Sequence, residues 1–117
     1  MRLILVSVAA LAVAGCSQTF PIVAMGKDLP GGVLRGEGRV DLSGGVFAIS
    51  GGSLTCNGTY DGLDSSVTIT IPIRCNDGRT GIVSATRQKG GRGGGGPFTL
   101  SDGTTGQFIF GPAAAGL

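Results

Sequence analysis

The stretch that decides the fold is Ser-Val-Thr-Ile-Thr-Ile-Pro-Ile-Arg-Cys, residues 66–75. From Val67 onward every second residue is apolar or a cysteine, and threonine, proline and arginine fill the positions between them. Side chains along a β-strand alternate between two faces, so this pattern predicts a strand with one buried face. Pro72 has no N–H to donate, which predicts that its nitrogen faces a sheet edge or a bulge.

A second alternating segment, residues 54–60, precedes this strand. An antiparallel pair with the two cysteines opposite each other brings the apolar faces of both segments together. The predicted cross-strand partners are Cys56 with Cys75, Gly58 with Ile73, and Tyr60 with Ile71. The turn falls in residues 61–66, which are rich in turn-forming residues.

A short internal repeat predicts two further hairpins. Cys-Asn-Asp-Gly-Arg-Thr-Gly (75–81) aligns with Leu-Ser-Asp-Gly-Thr-Thr-Gly (100–106). Both segments are typical of a three-residue loop, in which a type I turn is followed by a glycine in the left-handed region. Such loops pair residue 75 with 79 and residue 100 with 104. The partners that follow are Ile71 with Val83, Ile69 with Ala85, and Phe98 with Gly106.

Strand signals dominate from residue 31 onward, and no segment there has a convincing helical period. We expect about seven strands, at residues 33–41, 46–50, 52–60, 66–75, 79–88, 97–101 and 105–110. Nearly every connection has hairpin length. The sequence therefore predicts an all-β fold: a small antiparallel meander, either a curled sheet or a small barrel.

The composition permits one small domain and removes several kinds of mechanism. The chain has 117 residues, with 24 glycines, no histidine, no tryptophan and a net charge of +2. Without histidine there is no Ser-His or Cys-His pair, and no base activates the many serines and threonines. Asp61, Asp64, Asp77 and Asp102 occupy turns, where aspartate has a backbone role. We expect a protein that is not an enzyme and has no cofactor and no metal.

The N-terminus has the organisation of an export signal. Met-Arg is followed by residues 3–15, which are apolar or small apart from Ser7 and too few to cross a bilayer as a helix. Val-Ala-Gly-Cys at residues 13–16 resembles the lipobox of bacterial lipoproteins. The alternative is an ordinary signal peptide with a chance cysteine. The resemblance implies cleavage before Cys16 and acyl chains, palmitate among them, that anchor Cys16 in the membrane.

The predicted domain organisation follows from this signal. We expect a signal peptide at residues 1–15, a lipidated tether at 16–30 and a β domain at 31–117, because residues 17–30 show no clear period and contain two prolines. In Gram-negative lipoproteins an aspartate after the lipidated cysteine favours the inner membrane. Ser17 therefore favours the outer membrane, with the protein facing the periplasm.

The two remaining cysteines predict a disulfide. The periplasm is oxidising, and a bond between Cys56 and Cys75 closes a loop of about 19 residues. A metal site is the alternative, but two cysteines without CxxC spacing and without histidine make a poor one.

Basic residues concentrate in the second half of the mature chain. Arg74, Arg79, Arg87, Lys89 and Arg92 are candidates for a basic face that contacts anionic polysaccharide, phosphates or an acidic envelope protein. The alternative is ordinary solvated charge. Residues 90–96, Gly-Gly-Arg-Gly-Gly-Gly-Gly, lack the order of a phosphate-binding loop. They predict a long flexible hairpin loop, and we expect no nucleic-acid partner.

Residues 52–111 resemble a family of small β-rich exported proteins of Gram-negative bacteria. The matching motifs are those around Cys56, Cys75 and Asp102, and they imply a fold and a disulfide but no activity. We expect a lipid-anchored, non-enzymatic binding or structural module of the cell envelope. The alternatives are a small-ligand carrier that uses the barrel interior and an inhibitor of an envelope enzyme.

Overall fold

Eight strands make up most of the fold. The computed structural model describes residues 17–61, 64–88 and 93–117. The strands are β1 (Gln18–Met25), β2 (Val33–Asp41), β3 (Gly44–Gly51), β4 (Leu54–Tyr60), β5 (Thr68–Cys75), β6 (Thr80–Arg87), β7 (Gly94–Leu100) and β8 (Thr105–Phe110). A short 3-10 turn spans Pro30–Gly32, and a single-turn helix, α1, spans Pro112–Ala115. The predicted N-terminal signal helix lies outside the described residues.

The strands form a closed antiparallel barrel. Each strand pairs with the next in sequence, and β1 also pairs with β8. This confirms the all-β meander and decides between the two predicted forms in favour of the barrel. We call the end with the loops at residues 26–32, 52–53, 76–79 and 101–104 the closed end. The opposite end, where β1 begins and β8 stops, is the open end.

The barrel begins earlier in the chain than predicted. We expected residues 16–30 to be a tether, but Gln18–Met25 is the strand that closes the barrel between β2 and β8. Ile22 and Ala24 belong to the core, as inward-facing residues should. Val23 points outward yet is only 3% exposed, because α1 lies against β1 and β8. Burial on both faces removed the alternation that would have predicted this strand.

The predicted registers around the cysteines and the two hairpins are confirmed. Cys56 lies opposite Cys75, and a disulfide joins them. The other predicted partners also face each other: Ile71 with Val83, Ile69 with Ala85, Phe98 with Gly106. In the two loops Gly78 and Gly103 have φ angles of 93° and 92°, the left-handed region that favours glycine. The repeated Asp-Gly motif is therefore a turn motif.

One predicted pair is wrong, and Pro72 explains why. The ladder between β4 and β5 ends at Gly58 and Ile73, so Tyr60 does not pair with Ile71. The Asn76 N–H donates to β4, and amides two residues apart point to the same side of a strand, so the nitrogen of Pro72 faces β4 as well. Because Pro72 cannot donate, the two strands separate toward the open end.

Aromatic rings inside the barrel lie opposite glycines. The chain has five phenylalanines and one tyrosine, and all six residues have a glycine as a cross-strand partner. The pairs are Phe20–Gly38, Phe47–Gly38, Phe47–Gly58, Tyr60–Gly45, Phe98–Gly106, Phe108–Gly96 and Phe110–Gly94. A Cβ added to Gly106 would lie 2.6 Å from the Phe98 ring, and one added to Gly58 would lie 2.7 Å from the Phe47 ring. At Gly38, Gly45, Gly58 and Gly106 the rings thus fill the space that a side chain would take.

We predict that removal of the disulfide lowers stability without changing the fold. The Cys56→Ala, Cys75→Ala double variant should lose about 3 kcal/mol of unfolding free energy, because the unfolded chain regains the freedom of the loop. Urea unfolding measures the loss. Reductant should lower the midpoint of the native chain and leave that of the variant unchanged. Equal midpoints for the oxidised native chain and the variant would contradict the prediction.

We predict that Gly45→Ala destabilises the barrel by about 1–3 kcal/mol, because the new methyl group overlaps the Tyr60 ring. In a Tyr60→Ala background the same substitution should cost less, since the ring is gone. Gly116→Ala is the matched control: its methyl group would meet no atom closer than 3.9 Å. Urea unfolding of the four variants gives the coupling energy, and additive losses would rule out the ring-on-glycine contact as the cause.

Candidate functional site

The open end of the barrel contains a cavity of about 830 Å³. The closed end is filled instead: Leu29, from the loop between β1 and β2, is buried in the core, as are Leu34, Leu54 and Leu100. Side chains that face inward therefore pack the closed half and leave the open half vacant. A smaller pocket of about 400 Å³ lies on the outside of the closed end, beside Lys27, Asp28 and Arg79. The cavity at the open end is the larger of these two and is lined mainly by apolar side chains, so it is the candidate binding site.

The walls of the cavity are apolar. They are formed by inward residues of successive strands: Phe20, Ile22, Val40, Phe47, Ile69, Ile71, Ala85, Phe108 and Phe110. Phe108 packs edge-on against Phe47, with ring centroids 5.3 Å apart, and lies 6.3 Å from Phe110. These aromatic contacts hold the rings against the barrel wall, which keeps the volume between them clear.

Two features of the sequence keep this half of the barrel open. Ala85 contributes only a methyl group at an inward position where Val83, its neighbour on the same face, contributes an isopropyl group. The separation of β4 from β5 above Gly58 and Ile73 widens the opening further. The alternation of apolar residues predicts which side chains face inward. The vacant volume depends in addition on closure of the barrel and on the break in the ladder at Pro72.

Polar groups occur at the rim of the cavity. Tyr60, Asp64 and Arg87 line it on the side of β4 and β6. Arg87 is the last residue of β6 and faces inward, like Ala85. Its Nη1 donates to the backbone oxygens of Asp64, at 2.6 Å, and Ser66, at 2.7 Å. Arg87 therefore ties the connection between β4 and β5 to the end of β6.

The ionisation of the rim groups follows from their surroundings. Burial raises the pKa of the Tyr60 phenol, and the charge of Arg87 opposes this in part. Hydrogen bonds from the Ser66 side chain and backbone lower the pKa of Asp64, with a smaller contribution from the Arg87 charge. At neutral pH the rim carries a phenol, a carboxylate and a guanidinium, which suits the polar part of a bound molecule.

The predicted basic face is not formed by the described arginines. Arg74 and Arg79 lie near the closed end, whereas Arg87 lies at the open end, about 23 Å away along β6. Arg79 forms ion pairs with Asp77, at 2.8 Å, and with Asp102, at 3.0 Å. Those two carboxylates raise the pKa of Arg79, Asp77 having the larger effect. Arg79 thus joins two hairpin loops, and of these three described arginines Arg87 alone lines the cavity.

Other predicted site residues fall in turns or outside the described residues. Asp64, Asp77 and Asp102 each accept the N–H two residues ahead, which is the turn role expected of them. Within residues 17–61, 64–88 and 93–117 no three His, Cys, Asp or Glu side chains cluster as a metal site would need. Cys16, Lys89 and Arg92 lie outside these ranges, so lipidation of Cys16 stays a prediction.

The glycine-rich loop is shorter than predicted. We expected residues 90–96 to be a loop, but β7 begins at Gly94. Gly94, Gly95 and Gly96 pair with residues 108–110 of β8. A run of glycines gives no apolar alternation that would predict a strand. In the barrel a Cβ at Gly94 or Gly96 would overlap the backbone oxygen of Thr86 or Ser84, so the close approach of β6 requires glycine there. Residues 89–92 lie outside the described residues.

Comparison of the chain with protein-family models, with curated proteins and with solved structures finds no match. In the part of the chain that the structure describes, no helix has the length and apolar character needed to cross a membrane. A functional proposal therefore has to start from the geometry of the cavity.

We predict that Tyr60 titrates above the usual tyrosine pKa of about 10 in the folded protein. Tyr60 is the only tyrosine, and there is no tryptophan, so near-ultraviolet absorbance reports this group alone. In urea the midpoint should return to about 10 as the phenol becomes hydrated. Arg87→Met should raise the folded midpoint further, because it removes the nearby positive charge. A folded midpoint at or below that in urea would contradict the burial of Tyr60.

Proposed function

We propose that this protein is a lipid-anchored binding module of the cell envelope, and that it holds an apolar or amphipathic small molecule in the open end of its barrel. The observation that carries the proposal is the cavity of about 830 Å³ with apolar walls and a polar rim. Among the alternatives raised by the sequence, it favours the small-ligand carrier. The proposal assigns binding to the interior of the barrel rather than to a basic outer face.

The size and lining of the cavity suit a small ligand. Binding sites for small molecules have volumes of roughly 300–1,000 Å³ and are mostly apolar, with a few polar groups that orient the ligand. Each methylene group that moves from water into such a site contributes about 0.8 kcal/mol. Aliphatic or aromatic hydrocarbon is thus the chemistry that the walls formed by Phe47, Ile71 and Phe108 favour.

The rim gives the ligand a preferred orientation. Tyr60 supplies a hydroxyl group, Arg87 a cation and Asp64 an anion, all on one side of the opening. The apolar part of a ligand is expected to lie deep in the barrel, with its polar part among these groups. We propose binding without catalysis, because the rim residues named here do not place a nucleophile beside a base that would activate it.

Location in the envelope is part of the proposal. It is supported by the export signal at residues 1–15 and by the lipobox resemblance at Cys16. The Cys56–Cys75 disulfide supports it as well, because such bonds persist in oxidising compartments such as the periplasm. Ser17 favours the outer membrane over the inner one.

We predict that an apolar fluorescent dye such as phenylnaphthylamine binds the native protein and that Ala85→Phe weakens its binding at least roughly tenfold, about 1.4 kcal/mol. Ala85 is buried and lines the cavity, so the added ring takes up ligand volume. Ala48→Phe is the matched control, because Ala48 is exposed on the outer face of β3. Dye fluorescence measures binding, and urea unfolding shows that both variants are folded.

A site-specific readout accompanies the dye titration. Tyr60 lines the cavity, so its emission should be quenched as the dye fills the native protein. Long-chain amphiphiles should displace the dye and restore the emission. Equal dye binding by the Ala85→Phe and Ala48→Phe variants, with unquenched Tyr60 emission, would overturn the cavity as the binding site.

A further inference from the structure

The two ends of the barrel differ in their exposed hydrophobic residues. Among the residues that the structure describes, three large hydrophobic side chains are exposed at the open end: Leu42 is 73% exposed, Val67 is 68% exposed, and Val46 is 51% exposed. The described loops of the closed end display no exposed large hydrophobic residue. They carry charged residues: Lys27, Asp28, Asp77, Arg79 and Asp102. Two further large hydrophobic residues are exposed away from the open end, Ile82 at 51% and Leu117 at 48%. The open end therefore has the larger share of the exposed hydrophobic residues that the structure describes.

The exposed residues at the open end form what we call the mouth patch: Leu42, Val46 and Val67. Leu42 lies in the turn between β2 and β3, and Val46 faces outward near the start of β3. Val67 precedes β5, where its oxygen accepts the Arg87 N–H. The patch therefore borders the cavity on the side of β2 to β5. Exposed apolar side chains are ordinary when they are single, so the case for a covered surface rests on the position of these three around one opening and beside the predicted anchor.

The predicted anchor lies at this same end. The described chain starts at Ser17, and β1 starts at Gln18, which lines the cavity mouth together with Thr19. Cys16 and Gln18 are two residues apart, so their Cα atoms are separated by at most about 7 Å. Acyl chains on Cys16 would thus leave the protein at the rim of the cavity. With no tether, the open end cannot turn far from the membrane.

We infer that the mouth patch docks on the lipid bilayer, so that the cavity opens toward the membrane. Leu42, Val46 and Val67 enter the boundary between headgroups and acyl chains, and the charged closed end faces away. The inference goes beyond the ligand-binding proposal and shares with it only the anchor on Cys16. A lipid anchor together with inserted apolar side chains gives two membrane signals, which is what durable, oriented attachment requires.

A bilayer fits this surface better than a second protein does. Stable protein interfaces cover about 800 Å² of continuous surface on each partner, whereas the mouth patch consists of separate tips beside an opening. A fluid lipid surface adapts to such tips. Charges of both signs, Arg39 and Arg87 with Asp41 and Asp64, lie at this end. We therefore expect docking that is apolar in origin and little affected by salt or by anionic lipid.

Single-tryptophan reporters test the orientation, because the natural chain has no tryptophan. Leu42→Trp and Val67→Trp place a reporter in the mouth patch, Ser53→Trp places one at the closed end, and Ala48→Trp places one on the barrel side. The lipidated protein is reconstituted into phosphatidylcholine vesicles whose acyl chains carry bromine, which quenches tryptophan within the bilayer. We expect quenched, blue-shifted emission from the two mouth reporters and unchanged emission from the other two.

Two results would overturn the inference. In the first, the mouth reporters stay as unquenched as Ser53→Trp, which would mean that the barrel is held only by its anchor, or that the chain does not bind vesicles at all. In the second, the mouth reporters respond to envelope protein extract and not to vesicles, which would assign the patch to a protein. Mass spectrometry of the Cys16 peptide reports lipidation in the same samples.

A second set of variants separates the patch from the anchor. With Val46→Trp as the reporter, added Leu42→Ser and Val67→Ser substitutions should reduce quenching roughly tenfold, because the apolar tips no longer favour insertion. Ile82→Ser is the matched control, since Ile82 is as exposed as Val46 but lies on the barrel side, toward the closed end. Dye binding by the same samples tests the cavity separately. Unquenched mouth reporters with intact dye binding would contradict membrane docking alone, and quenched reporters without dye binding would contradict ligand binding alone.

Discussion

The contact between an aromatic ring and the glycine opposite it shapes this barrel. Eight short strands enclose a narrow interior, and six aromatic side chains point into it. A ring fits only where the neighbouring strand has no Cβ, as at Gly38, Gly45, Gly58 and Gly106. The high glycine content is thus a packing requirement of the interior. In the open half the rings of Phe47 and Phe108 pack edge-on against each other, and a free volume remains beside them.

Local patterns predicted the parts of the fold that local interactions determine. The alternation in residues 67–75 and the two Asp-Gly turns gave correct registers, because a hairpin loop and a buried face together allow a single pairing. The strand Gln18–Met25 was missed, since α1 covers its outer face and so removes the alternation. Gly94–Gly96 was missed for a different reason: glycines carry no burial signal, and their place depends on pairing with β6 and β8 on either side.

The candidate site was less predictable than the fold, because the cavity exists only once all eight strands have closed into a barrel. The alternation of apolar residues predicts which side chains face the interior. Whether these side chains fill the interior or leave a cavity depends on the number of strands, and so on β1, which was not predicted. Counting charges along the sequence did not show what each arginine contacts. Arg79 forms ion pairs with Asp77 and Asp102 in two loops, and Arg87 donates a hydrogen bond to the connection between β4 and β5. Pro72 was the available signal for the opening: its missing N–H predicted a sheet edge or a bulge, but the predicted pairing of Tyr60 with Ile71 continued the ladder past it.

The β4–β5 ladder ends at Gly58 and Ile73, so the barrel is more rigid at the closed end than at the open end. Below this point, the disulfide and the ladder fix β4 to β5, so the two strands share a pivot at Cys56 and Cys75. Above this point, they can move apart without loss of a ladder hydrogen bond, and the resistance comes from the hydrogen bonds of Arg87 to Asp64 and Ser66. The open end can therefore widen at one place, between β4 and β5, while the closed end stays rigid. The Arg87 guanidinium holds this place together through its hydrogen bonds.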